Sequence, residues 1–296
     1  MQLVDTHCHI HSVDYPISIA DVDAHNAEAG VEYLIAVGCD AADSQRAVDF
    51  AADRPNTWAV VGQHPHEAKF GIEPLKQIRS LVEQDQNLVV SGPEGRAPWR
   101  AASRAPGKVA LRDEAHDARS REESERRQRK IVAIGECGLD YFYGHSTKEE
   151  QEKTLRYQIE LALEYNLPLV FHVREAFDDF WPIFDSYKGI RGELHSYTDD
   201  SANLSKAIER GLYIGVNGIM TFTKNDWQLE VARTIPLDKM LLETDAPFLT
   251  PVPLRGKVNE PAHVLQIATF ISDLRQMPLS DIAQHTTTNA RQLFSI

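Results

Sequence analysis

Eight short apolar runs, each bounded by polar or turn residues and mostly followed by helical periodicity, recur along the chain and narrow what it can fold into. They are Leu3 to Asp5, Tyr33 to Val37, Trp58 to Gly62, Ile131 to Gly135, Leu167 to His172, Gly192 to His195, Leu212 to Val216 and Lys239 to Glu243. Strands that alternate with helices pair in parallel, because each crossover helix returns the chain to the same end of the sheet. Eight such units point to an α/β fold of the TIM-like (β/α)8 barrel type. Helix signals fall where this requires them. Ser146 and Glu149 have capping-box spacing, and Leu155, Ile159, Ala162 and Leu163 then share a face. Asp200 can cap a helix carrying Leu204, Ala207 and Ile208, with Gly211 ending it. No fixed-period motif marks a solenoid. The helices with Val264, Ile267 and Ile271, and later Ile282, Leu293 and Phe294, are expected to cover the barrel.

One stretch breaks the alternation. Residues 91–130 hold eleven Lys+Arg and seven Asp+Glu, with Gly-Pro and Ala-Pro breaks at the start, an Arg/Glu-rich run at the end, and few side chains able to build a core. Without them the chain has a length near the roughly 250 residues of such barrels. The expectation is therefore a single barrel over 1–296 interrupted by a solvated, partly disordered insertion at 91–130. The insertion follows the helix with Leu75, Ile78, Leu81 and Val82, on the face away from the strand C-termini. A nucleic-acid or partner-binding arm is the rival reading of this segment. The whole chain has a net charge of −13. The remainder carries 20 basic against 37 acidic residues, a net −17, which argues against non-specific wrapping of a duplex or an anionic membrane. No run of 18 apolar residues suggests a membrane span. Three widely spaced cysteines (Cys8, Cys39, Cys137) and a start without signal-peptide features point to the cytoplasm.

In a barrel of this kind the active site lies at the C-terminal strand ends, and His7, His9, His11, His64, His66, His172 and His195 all fall there. Residues two apart on extended backbone face the same way, so His7 and His9 can offer both imidazoles to one ion while Cys8 points elsewhere. Glu136 ends the fourth expected strand, His172 the fifth and His195 the sixth, and Asp245 follows the eighth. Taken singly, His172 could be a buried histidine bonded to backbone, His195 a helix cap, Glu136 the partner of an Arg and Asp245 a turn residue. Six potential ligands from five strand ends at one rim favour a metal site.

Several segments carry a closer resemblance. Asp5-Thr6-His7-Cys8-His9, Gly62-Gln63-His64-Pro65-His66, Gly135-Glu136-Cys137-Gly138-Leu139-Asp140-Tyr141, His172-Val173-Arg174-Glu175-Ala176 and Leu242-Glu243-Thr244-Asp245-Ala246-Pro247-Phe248-Leu249 resemble the TatD family of metal-dependent deoxyribonucleases. The likeness runs in order from residue 3 to the C-terminus, with only 91–130 outside it. Arg255-Gly256-Lys257-Val258-Asn259-Glu260-Pro261 and Asn289-Ala290-Arg291-Gln292-Leu293-Phe294 resemble the family too. Cys137 stands where Thr is usual, Phe248 where Tyr is usual, and His195-Ser196-Tyr197-Thr198-Asp199 departs slightly from the family pattern. None of these changes removes a ligand.

The resemblance implies two divalent metal ions. His7, His9 and Asp245 would hold the first, His172 and His195 the second, with Glu136 bridging. Imidazole-rich ligation suits Zn2+ or Mn2+, and phosphodiester chemistry suits Mg2+. Such a pair cleaves phosphodiesters through an activated water, with Asp245 as the expected base and Glu136 in the catalytic bridge. His64, His66 and Arg174 are the candidate substrate contacts, with Lys224 a further possible phosphate ligand. Glu243, on Asp245's strand face, could support the ligands, and Thr6, Cys8 and Cys137 pack. The expected partner is DNA, single-stranded or at strand ends, cut exonucleolytically, with a monomer as working form. The alternative is a metal-dependent ester or amide hydrolase, such as a D-aminoacyl-tRNA deacylase. Against it, Glu136 stands where many binuclear amidohydrolases place a carboxylated Lys. A binding barrel with structural metals is the non-enzymatic rival.

Overall fold

All eight apolar runs form strands, and each strand pairs in parallel with the next, in chain order from first to last. The computed structural model describes residues 1–87 and 129–296. The strands are β1 (Leu3–Cys8), β2 (Val31–Val37), β3 (Thr57–Val61), β4 (Ile131–Asp140), β5 (Leu169–Arg174), β6 (Gly192–Leu194), β7 (Tyr213–Val216) and β8 (Met240–Leu242). Between them run α1 (Ile19–Ala29), α2 (Ala41–Ala52), α3 (Glu73–Asn87), α4 (Lys148–Glu164), α5 (Phe177–Asp185), α6 (Ser201–Glu209) and α7 (Asp226–Thr234), with α8 (Val264–Arg275) and α9 (Leu279–Phe294) after the last strand. The sheet closes just past β8. The Asp245 N–H donates to the His7 carbonyl at 2.8 Å, and the His9 N–H donates to the Ala246 carbonyl at 2.7 Å. The expected barrel is therefore observed, and its closing seam lies at the C-terminal strand ends.

Two apolar clusters hold the barrel. Val4, Ile35, Val60, Val170 and Leu241 come from β1, β2, β3, β5 and β8 yet form one cluster, which strands on opposite sides of a barrel can do only in its interior. Leu293 and Phe294, at the end of α9, join that cluster and plug the end where the strands begin. Thus the last helix fills the barrel rather than merely covering it. The outer cluster packs strand residues such as Leu3, Ile134 and Phe171 against helix residues such as Ile78, Ile159 and Phe180.

Three boundaries differ from the sequence expectation, each for a visible reason. β4 runs five residues past Gly135, so Glu136 lies within the strand and Asp140 ends it. Gly135 and Gly138 make this possible. Both have φ near +150°, and a Cβ at Gly138 would meet the His172 carbonyl oxygen at 1.8 Å. The bare backbone lets β4 lie against β5 as far as the Asp140–Arg174 pair. The capping box of α4 uses Thr147 and Glu150, one residue later than Ser146 and Glu149. Ser146 is engaged elsewhere: its hydroxyl accepts from the Lys69 N–H and donates to the His66 carbonyl, both at 3.0 Å. The third concerns the segment 91–130. Most of it lies outside the described residues, but Lys130 is buried against the barrel. Its N–H donates to Asp85, and its Nζ reaches the carbonyls of Arg54 and Thr57. Asp200 caps α6 as expected, accepting from the Asn203 N–H.

Candidate metal centre

His7 and His9 reach the rim on the same side of the chain, as two-residue spacing requires, and their Nε2 atoms face each other at 3.2 Å. Cys8, between them, turns outward to the Ile35 carbonyl. Glu136 stands at the centre of the rim. Its Oε2 lies 3.4 Å from His7 Nε2. Its Oε1 lies 2.8 Å from His172 Nδ1, 3.3 Å from His195 Nε2 and 3.4 Å from His64 Nε2. Asp245 Oδ1 is 3.3 Å from His9 Nε2 and 3.8 Å from His7 Nε2. The six expected ligands thus meet at one mouth, and His64 joins them.

Facing imidazole nitrogens repel unless a proton or a cation lies between them, and carboxylate oxygens converge on the same space. That donor set fits a cation. His7, His9 and Glu136 form one group whose ligand atoms lie within 4.8 Å of one another; His7, His195 and Asp245 form a second; His64, Glu136 and His172 form a third. The groups share His7 and Glu136, so the donors form one continuous cluster. His195 stacks on His7 with ring centroids 3.8 Å apart. His64, expected to meet substrate, is placed as a further donor beside His172. A fourth group joins His9, Cys39 and Asp43. There, however, the His9 nitrogen facing Cys39 is Nδ1, 2.7 Å from the Val37 carbonyl, so it serves as a donor to backbone.

Charges in the mouth are strongly coupled. Burial would raise Glu136, but the surrounding His64, His195 and His172 outweigh it and hold the carboxyl well below its ordinary range. Burial would likewise raise Asp245, yet the bond to His9 and the nearby His195 and His7 keep it low. Burial works to lower His195, and Glu243 with Glu136 overcomes it, taking the imidazole up to about 10. In His64 burial wins and takes it down to about 4. The protonated His195 imidazole holds the place of a cation, since a metal binds neutral imidazole and releases the proton.

Behind the donors stand residues that hold them. Glu243 lies 3.0 Å from His195 Nδ1, in the supporting place its strand face suggested. Asp140 was not singled out from sequence. Its Oδ2 lies 2.9 Å from His172 Nε2 and 3.0 Å from His66 Nε2, while its Oδ1 accepts the N–H groups of Phe142 and Tyr143. The available signal was its distance from Glu136: two residues apart twice over puts both on one face of an extended strand. His11 turns aside to Asp43, 3.2 Å away, and leaves the central group. Arg174 ends β5 exposed at the rim. Its guanidinium lies 4.0 Å from the Phe142 ring centroid and 4.9 Å from that of Tyr143, and it pairs with no carboxylate among the described residues. Phe248, also exposed, packs edge-on near His9.

A family model described as TatD related DNase matches residues 4–295. An uncharacterized metal-dependent hydrolase, YabD of Bacillus subtilis, is 32% identical over 297 residues, covering 99% of each chain. The protein named 3'-5' ssDNA/RNA exonuclease TatD in Salmonella typhimurium is 30% identical, over 93% of this chain and 92% of that one. Among solved structures, the TatD homolog YJJV of Escherichia coli superposes with a TM-score of 0.78 at 24% identity, over 99% of this chain and 98% of that one, which matches the fold.

Proposed function

Because the chain belongs to the family of TatD related DNases, and so to the metal-dependent hydrolases, we propose that it hydrolyses phosphodiester bonds of DNA from single-stranded ends. The observation that carries this reading is the convergence of His7, His9, His172, His195 and Asp245 on Glu136 at an open rim. The Salmonella relative's name supports a nucleic-acid substrate. His7, His9 and Asp245 would hold one divalent ion, and His172 and His195 a second, with Glu136 between and His64 alongside. Two such ions would lower the pKa of the attacking water and neutralise charge on the phosphodiester oxygens.

The chain's own residues supply the rest. Asp245 stays ionised in the mouth and accepts the water's proton as general base. Glu243 and Asp140 orient His195 and His172 through their far nitrogens. Arg174, unpaired at the rim, meets phosphate charge as the strand enters. His66, bonded to Asp140, borders the same path.

The test is an end-labelled single-stranded oligonucleotide incubated with Mg2+, Mn2+ or Zn2+. Shortening from one end by the wild type, slowed by at least about a hundredfold in Asp245→Asn, is the expected result. Failure to cut with every metal, or unchanged cutting by Asp245→Asn, rejects it. A parallel panel of esters and D-aminoacyl-tRNA separates the carbonyl-hydrolase reading.

A further inference from the structure

Outside the donor cluster, the rim beside His172 carries an exposed aromatic surface. Phe142 and Tyr143 are 51% and 52% exposed, although their rings would lose less by burial. Their rings meet edge to face at 4.8 Å, and the Arg174 guanidinium lies over both. Tyr143 also touches His66 edge-on at 5.2 Å and stacks with His145 at 5.8 Å. This tip does not swing freely. The Asp140 carboxylate that contacts His172 also accepts both tip N–H groups, and the Tyr141 N–H donates to the Arg174 carbonyl. One carboxylate therefore sets the distance between the aromatic surface and the donor cluster.

We propose that Phe142, Tyr143 and Arg174 form a nucleobase subsite, in which an unpaired base stacks on the aromatic tip while Arg174 holds the adjoining phosphate. The inference rests on the nuclease reading above and names what that site selects. Two features favour a base over another apolar partner. An aromatic face beside an unpaired guanidinium matches the alternation of flat base and anionic phosphate along a single strand. The chain outside 91–130 has a net charge of −17, which favours affinity from neutral stacking and a few cations over a long basic track there. A base inside a duplex has both faces covered by its neighbours. The subsite therefore admits single-stranded or frayed ends and disfavours paired ones.

The experiment measures cleavage and binding separately. Oligonucleotides with either an intact or an abasic unit next to the terminal phosphodiester are offered to the wild type, Tyr143→Ala and Tyr143→Phe. Binding is read by fluorescence anisotropy and cleavage by end label. In the wild type, removing that base should weaken binding about tenfold, the scale of one base–aromatic stack. The difference should vanish in Tyr143→Ala and persist in Tyr143→Phe, which keeps the ring. Equal binding of intact and abasic strands by the wild type, or an undiminished difference in Tyr143→Ala, overturns the subsite. Because binding is read directly, a wild type that discriminates the base but cuts nothing refutes the nuclease reading while leaving the subsite standing.

Discussion

An imidazole that turns one nitrogen to a metal is free to rotate unless something holds the other. His9 Nδ1 is held by the Val37 carbonyl and His172 Nε2 by Asp140, and His195 Nδ1 faces Glu243 at 3.0 Å. Loss of such a support typically costs 10- to 100-fold in metal affinity or activity. Asp140→Asn should therefore weaken divalent-ion binding by about that factor, as read by competition with a chromophoric chelator, and unchanged affinity would place the support elsewhere. A second residue-level expectation concerns pH. Burial pushes the Asp85 carboxyl above its ordinary range, against the N–H groups of Lys130 and Ile131. The unfolded chain then gives up this proton at lower pH than the folded chain does, so stability falls as pH rises through that window. Asp85→Asn can still accept the Lys130 N–H but no longer titrates. Its melting temperature relative to wild type should climb as pH rises upward from the ordinary carboxylate range. The residues that converge were legible because His-x-His spacing and strand ends are local signals. Asp140 was not legible, because its role depends on how far β4 extends along β5.

At the scale of elements, the alternation of apolar runs foretold all eight strands, since a parallel strand buried on both faces leaves a continuous apolar signature. Their ends were less legible. The fourth apolar run ends at Gly135, yet Gly135 and Gly138 both lie inside β4, because their missing side chains admit the backbone of β5. The start of α4 shows the same limit. Ser146 and Thr147 are both good caps by type, and only the bonds of Ser146 to Lys69 and His66 decide that Thr147 takes the role. Thr147→Ala should cost about 1 kcal/mol in urea unfolding with catalysis unaltered. A loss of activity matching the loss of stability would mean that the cap also shapes the rim.

The whole molecule sets an acidic body around a cluster of metal donors. Divalent ions that bind the folded chain alone stabilise it by about 2.7 kcal/mol at a hundredfold excess over Kd. For a chain of this size that corresponds to a rise in Tm of roughly 4–5 °C. Chelator-treated protein should melt lower by that amount and recover on adding back metal, and equal melting curves would argue that the donors hold no ion. The seam that closes the barrel also has a consequence in time. His7 and His9 are made more than two hundred residues before Asp245, and the backbone bonds between them close the ring. Until β8 has emerged from the ribosome and docked, His7 and His9 lack Asp245 and the backbone bonds that close the ring beside them. The donor set proposed above is complete only after that closure, and a chain interrupted before it carries most of the donors but not all of them.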